Sequence, residues 1–173
     1  MTKQYGAGIA TGIVGMFLLA VVAWLVVVYT GAYNIAASAP HADVVRWTLE
    51  TAMHRSVANR AGEIALPEEP SGELVAEGAG HYAESCVYCH GAPGQDPAKW
   101  SRGIRPEPPH LTEHATEWEP KEIHWIITNG IKMSGMPAFG EHHSPGEILA
   151  LTAFVDALPG LSVDDYSTLT KSD

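Results

Sequence analysis

The chain has two cysteines in 173 residues, Cys86 and Cys89, three positions apart, and His90 follows the second directly. Two thiols and an imidazole at this spacing admit three chemistries: thiol exchange, half of a zinc site, or covalent attachment of a haem. A thiol-exchange pair needs no following histidine and normally sits where a strand runs into a helix, a context absent around residue 86. Structural zinc takes four protein ligands, commonly from a second Cys or His pair at matching spacing. His142 and His143 are adjacent instead, and no further cysteine exists. Haem attachment suits the residues best, with the thiols adding to two vinyl groups while the neighbouring imidazole coordinates iron. Cys86 and Cys89 then lie about one helical turn apart, which carries His90 beneath the ring.

Iron bound by His90 on one face needs a ligand on the other, and a thioether suits an electron carrier because it raises the potential. The stretch "NGIKMSGMPAFG", residues 129–140, offers Met133 and Met136. Met136 is favoured, because Pro137 after it restricts the backbone and Gly135 before it permits a close approach. Met133, His124, His142 and His143 stay open as alternatives, the histidines being otherwise solvated imidazoles. Trp100, Arg102 and Arg105 are candidate partners for haem propionates, since buried carboxylates require pairing. Ordinary surface arginines are the competing reading. Trp118 and Trp125 read as pocket or core residues whose bulk excludes water.

The elements that must position these groups are helical. A helix is expected over residues 73–85, running into the cysteines, and a second over 120–129, with Pro120 in its first turn and Gly130 beyond its end. The third has the clearest signature: Ser144 as N-cap, Pro145 next, Glu147 as capping-box partner, then Ile148, Leu151, Val155 and Leu158 on one face. No segment alternates like a strand, so the fold class is all-α. Residues 41–61 also have helical period, with Val45, Leu49, Met53 and Val57 on one stripe. That stripe must be buried in the haem domain, at a membrane surface beside Trp47, or on another subunit. "LPEEPSGE", residues 66–73, reads as a linker.

From Ile9 to Val28 about twenty residues carry no charge, roughly 30 Å of helix and enough to cross a bilayer. A cleaved signal is the alternative, and "ASA" at 37–39 resembles a cleavage site. The apolar run is long for a signal, and Pro40 after the site disfavours processing. Lys3 is the only charge before the span, which places the N-terminus in the cytoplasm and the remainder outside. Three regions result: 1–31 as transmembrane anchor, 32–70 as juxtamembrane helix and linker, and 71–173 as haem domain. From Ser71 onward six Lys or Arg face fifteen Asp or Glu, a formal charge of −9 of the chain's −10. A domain so acidic does not bind nucleic acid through its general field, and its charged partners are expected to present a basic face.

Residues 73–158 resemble the class I c-type cytochromes, single-haem electron carriers. The residues of the resemblance are "CVYCHG", "NGIKMSGMPAFG", Gly78 and Tyr82 at eight and four positions before Cys86, and Phe154 in the last long helix. The resemblance implies a small helical haem domain holding one covalent haem c, with Gly78 letting two helices cross closely; the N-terminal transmembrane helix that precedes it and the 41–61 helix lie outside the shared domain, though they resemble membrane-tethered members of the family. Its P-x-L element matches Pro109, His110 and Leu111, which implies that the Pro109 carbonyl accepts the Nδ1 hydrogen of His90. His90 and Met136 would then be the metal ligands. The implied role is electron transfer rather than catalysis, at a bacterial inner membrane with the haem domain on the periplasmic side. A quinol-oxidising complex or dehydrogenase would be the donor, and a terminal oxidase or reductase the acceptor. A permanent subunit of a membrane redox complex, a haem gas sensor and a thiol-exchanging assembly factor are the other readings. The stretch "APGQDPAKWSRGIRPE" is longer than in compact members, so exposure of the haem edge stays open.

Overall fold

The computed structural model describes residues 2–171, with side chains from residue 5 onward. It divides into two compact units, Met1–Pro40 and His41–Asp173. The first is dominated by α1, Thr2–Thr30, whose segment Tyr5–Thr30 is long and apolar enough to cross a membrane by length and composition. Its apolar side chains, Phe17, Leu19 and Trp24 among them, are exposed within the chain itself, as suits a helix whose solvent is lipid.

The second unit is helical throughout, with no β-strand among the described residues and one isolated bridge between Ala92 and Gln95. In chain order the helices are α2 (Asp43–Ala61), α3 (Gly72–Ser85), α4 (Val87–His90), α5 (Leu111–His114), α6 (Pro120–Asn129), α7 (Pro145–Ala157) and α8 (Val163–Leu169). The chain is all-α, as expected from its residues.

The boundaries have local causes. Ser71 caps α3 by accepting the Leu74 N–H at 3.2 Å. The α7 capping box forms as its residues predict: the Ser144 N–H donates to Glu147 Oε2 at 2.6 Å, and the Glu147 N–H to Ser144 Oγ at 3.3 Å. Glu119 and Glu122 make the same reciprocal pair at the start of α6, and Ser162 and Asp165 at the start of α8.

The core is the crossing of α3 with α7. Tyr82, Ala79, Leu151 and Phe154 are fully buried there, joined by Ile123 and Ile127 of α6 and Tyr166 of α8. Gly78 sets the distance: a Cβ at this position would fall on the Ala150 carbonyl and 2.8 Å from Phe154 Cβ. Tyr82 and Phe154 pack with ring centroids 5.0 Å apart. Helix α2 belongs to this same unit and packs on α6. Only its second half is covered, for Val57 and Ala61 are buried while Leu49 and Trp47 are exposed. His54 stacks flat on Trp118, with centroids 4.5 Å apart and planes 2° from parallel.

Candidate functional site

The cysteine motif sits where α3 breaks. The Cys86 N–H still donates to the Tyr82 carbonyl at 2.9 Å, and the Cys86 carbonyl then accepts both the Cys89 and His90 N–H groups at 3.0 Å. One short turn therefore carries Cys86, Cys89 and His90. Gly91 ends it with φ +68, and a Cβ there would stand 2.6 Å from the His110 ring and 3.0 Å from the Gln95 carbonyl. The position needs glycine for both its backbone and its space. The Gly91 carbonyl accepts the buried Tyr82 hydroxyl at 2.6 Å, which ties the end of the motif back to α3.

His90 Nδ1 lies 2.9 Å from the Pro109 carbonyl, to which it donates. That bond selects the tautomer, leaving Nε2 with the lone pair that binds a metal. Burial holds His90 below the usual imidazole range, the Pro109 bond opposes this, and nearby His110 adds to the lowering. A neutral imidazole is the ligand form. Pro109 itself is exposed, and Leu111, two residues on, starts α5 and is partly buried against the core. Leu111 thus fixes the loop whose carbonyl faces His90.

Cys86 and Cys89 form no disulfide with each other. Burial pushes Cys86 up to about 12, with Cys89 adding to the effect, and burial raises Cys89 as well. Both shifts run opposite to those that make the thiolates of exchange catalysts. Among the described residues no group of three His, Cys, Asp or Glu is placed to hold a metal ion, so a zinc site has no further ligands.

The methionine loop is closed on itself. Gly130, at φ +64, begins it, and a Cβ there would lie 2.6 Å from the Pro137 carbonyl carbon. The Ile131 N–H donates to the Met136 carbonyl at 3.1 Å, Ser134 Oγ donates to the Ile131 carbonyl at 2.7 Å, and the Met136 N–H reaches Ser134 Oγ at 3.1 Å. Met136 is half-buried at the base, whereas Met133 stands at the tip, 83% exposed. Gly135 approaches Ile104: its Cβ would come within 2.6 Å of Ile104 Cγ2.

The remaining candidates fall in several places. Arg105 folds onto its own turn, donating to the Arg102 and Ile104 carbonyls at 2.6 and 2.9 Å. Arg102 and Trp100 are exposed, Trp118 is covered by His54, and Trp125 is half-buried. His124 donates from Nδ1 to Thr152 Oγ1 at 3.1 Å, since the Thr152 hydroxyl hydrogen goes to the Ile148 carbonyl. His142 is exposed, while His143 packs edge-on against Phe139 and His81.

The donor set of this turn and loop fits haem c: two thiols on one turn, a neutral imidazole with Nε2 available, and a thioether on a hydrogen-bonded loop. Fold and site together define a single-haem class I c-type cytochrome domain, with haem c bound covalently. Residues 73–155 match the family described as cytochrome c oxidase, cbb3-type, subunit III. No curated protein and no solved structure matches the chain.

Three features carry little trace in the sequence. The Tyr82 hydroxyl bond and the His54–Trp118 stack join residues with no shared motif. The Gly135–Ile104 contact joins two loops, and only the run of Gly and Ser around Met136 hints that something packs closely there.

Proposed function

We propose that the protein is a membrane-tethered electron carrier with His90 and Met136 as the two axial ligands. The observation that supports this most is the bond from His90 Nδ1 to the Pro109 carbonyl, which commits the imidazole to the tautomer a metal requires. When bound, haem c supplies one-electron iron chemistry. Cys86 and Cys89 anchor the group, and the Gly91 turn with its Tyr82 bond holds the imidazole's end of the site in place. The closed loop of residues 130–137 presents Met136, leaving no free position for a substrate. The apolar helix α1 anchors the haem domain at the periplasmic face of a bacterial inner membrane, where tethering raises its effective concentration near integral redox complexes. Electrons come from a quinol-oxidising complex or dehydrogenase and leave to a terminal oxidase or reductase.

A second reading, permanent membership of one oxidase, is favoured by the description of the matched family and by the uncovered first half of α2, where Val44, Trp47 and Leu49 are exposed. Purification of the full chain in mild detergent separates the two. Haem that migrates with a stoichiometric oxidase through successive columns indicates a subunit, and haem that leaves as a single polypeptide indicates a shuttle. Carbon monoxide binding to the ferrous protein would overturn both, because either requires a closed sixth position.

A further inference from the structure

Helix α2 changes sides along its length. Its second half is buried through Val57 and Ala61. At about 100° per residue, Glu50, seven positions before Val57, projects from that same side, as do Arg46 and Asp43. The three are joined in ion pairs with exposed side chains, Arg46 to Asp43 at 3.3 Å and to Glu50 at 3.7 Å. The first turns therefore keep charge and water on the side that the later turns bury. What lies opposite carries no charge. Val44, Val45, Thr48, Leu49 and Ala52 fall within one sector of about 140°, and Trp47 stands one turn from Val44 at its border. Val44, Trp47 and Leu49 are exposed. Thr48 donates its hydroxyl hydrogen to the Val44 carbonyl at 2.6 Å, so its polar group is satisfied without water. This face is a separate surface, not an overhang of the buried one.

The neighbouring sequence bears on what covers it. Between Lys3 and Asp43 the chain has no Asp, Glu, Lys or Arg. That stretch comprises the spanning helix α1 and the connector 31–42, which can extend at most about 40 Å. Tyr29 and Tyr33, both exposed, flank the end of α1, where aromatic side chains mark a membrane–water interface. The uncharged sequence thus runs from α1 through the connector to the start of α2 without a break. Helix α2 also carries three arginines against two carboxylates, whereas the chain from Ser71 onward has a formal charge of −9. It is an element that an anionic lipid surface does not repel.

We propose that the first half of α2 lies in the interface of a lipid bilayer, with Val44 and Leu49 toward the acyl chains and Asp43, Arg46 and Glu50 toward water. The inference rests on the reading of α1 as a membrane anchor. The second half of the same helix packs on α6, and His54 stacks on Trp118, so α2 is a strut that sets the orientation of the haem domain at the lipid surface. The domain then presents one side to membrane partners instead of turning freely on its tether. Lipid contact accounts for the exposed face without a permanent protein partner.

The test uses the haem-loaded full chain in nanodiscs of phosphatidylethanolamine and phosphatidylglycerol. With both native cysteines taken up by haem, a single new cysteine accepts a nitroxide. Electron paramagnetic resonance then reads its access to oxygen, which concentrates in lipid, and to a water-soluble nickel chelate. Labels on Val44→Cys and Leu49→Cys should meet oxygen several-fold more readily than the chelate, and a label on Glu50→Cys should show the reverse. The two reagents are compared at one position, so relaxation by the ferric iron enters both alike. Chelate preference at all three positions would overturn the proposal. So would exclusion of both reagents from positions 44 and 49, which marks a protein cover, and broadening between labels would identify that cover as a second copy. A label on Leu18→Cys reports the anchor by itself. Chelate preference or loss of the label there would overturn the reading of α1, whereas oxygen preference there beside chelate preference at 44 and 49 would overturn only the placement of α2.

Discussion

Tyr82 donates its hydroxyl hydrogen to the Gly91 carbonyl at 2.6 Å, joining the buried face of α3 to the residue just past His90. Burial raises the phenol's pKa far above its ordinary value, so the group is a donor at every accessible pH. Tyr82→Phe keeps the ring on Phe154 and leaves the Gly91 carbonyl without its partner. A buried group unpaired in this way costs about 1–3 kcal/mol. Denaturant unfolding of the oxidised protein should show that loss in its midpoint, and an unchanged midpoint would mean water serves the carbonyl equally well.

Gly78 and Gly80 lie two residues apart on α3 and should respond oppositely to alanine. At Gly78 the added Cβ falls on the Ala150 carbonyl, so α3 and α7 must separate, at a cost of about 3 kcal/mol or more. At Gly80 nothing lies within 4 Å, and alanine should gain up to about 1 kcal/mol from helix propensity. Thermal melts of the two variants with haem attached give the comparison directly. Similar melting points would show that the crossing is not set by Gly78.

The two methionines of the 130–137 loop differ in burial and should differ in effect. Met136→Ala should open the sixth position, admit carbon monoxide and lower the reduction potential substantially, whereas Met133→Ala should leave the spectrum unchanged. Potentiometric titration of both variants checks this. Equal effects would mean that the loop presents the other sulfur.

Acid stability should carry a signature of the α7 cap. The Ser144 N–H and hydroxyl lower the Glu147 pKa below its ordinary 4.5. A carboxylate lowered in the folded state adds stability that is complete above about 4.5 and disappears as pH falls through the folded value. Glu147→Gln should therefore melt below the unmodified protein at pH 7, and the gap should close in strongly acid solution. A gap that stays constant with pH would assign the effect to something other than the charge.

Legibility followed the range of the interaction. The boundaries of α6 and α7 could be read from residues 120 and 144–147 because capping is settled within one turn. The Cys86–Cys89–His90 turn is equally local. The destination of α2 was not: its stripe named Val45, Leu49, Met53 and Val57 as equals, and only Val57 is buried, because the surface offered by α6 and Trp118 is shorter than the helix. Gly135 reads as a residue that permits a close approach of its loop, and the structure shows Ile104 packed against it, a contact between loops that no periodicity encodes. Helix α8 carries no periodic signal although Ser162 and Asp165 cap it, since seven residues are too few for a period to show.

His/Met ligation is tested most directly by the near-infrared absorption of the purified ferric protein, where charge transfer from methionine sulfur to iron absorbs, followed by reduction and exposure to carbon monoxide. The expected result is a band in the unmodified protein, its loss in Met136→Ala, and a ferrous spectrum that carbon monoxide leaves unchanged. No band, together with ready carbon monoxide binding, would show an open iron and contradict the electron-carrier assignment.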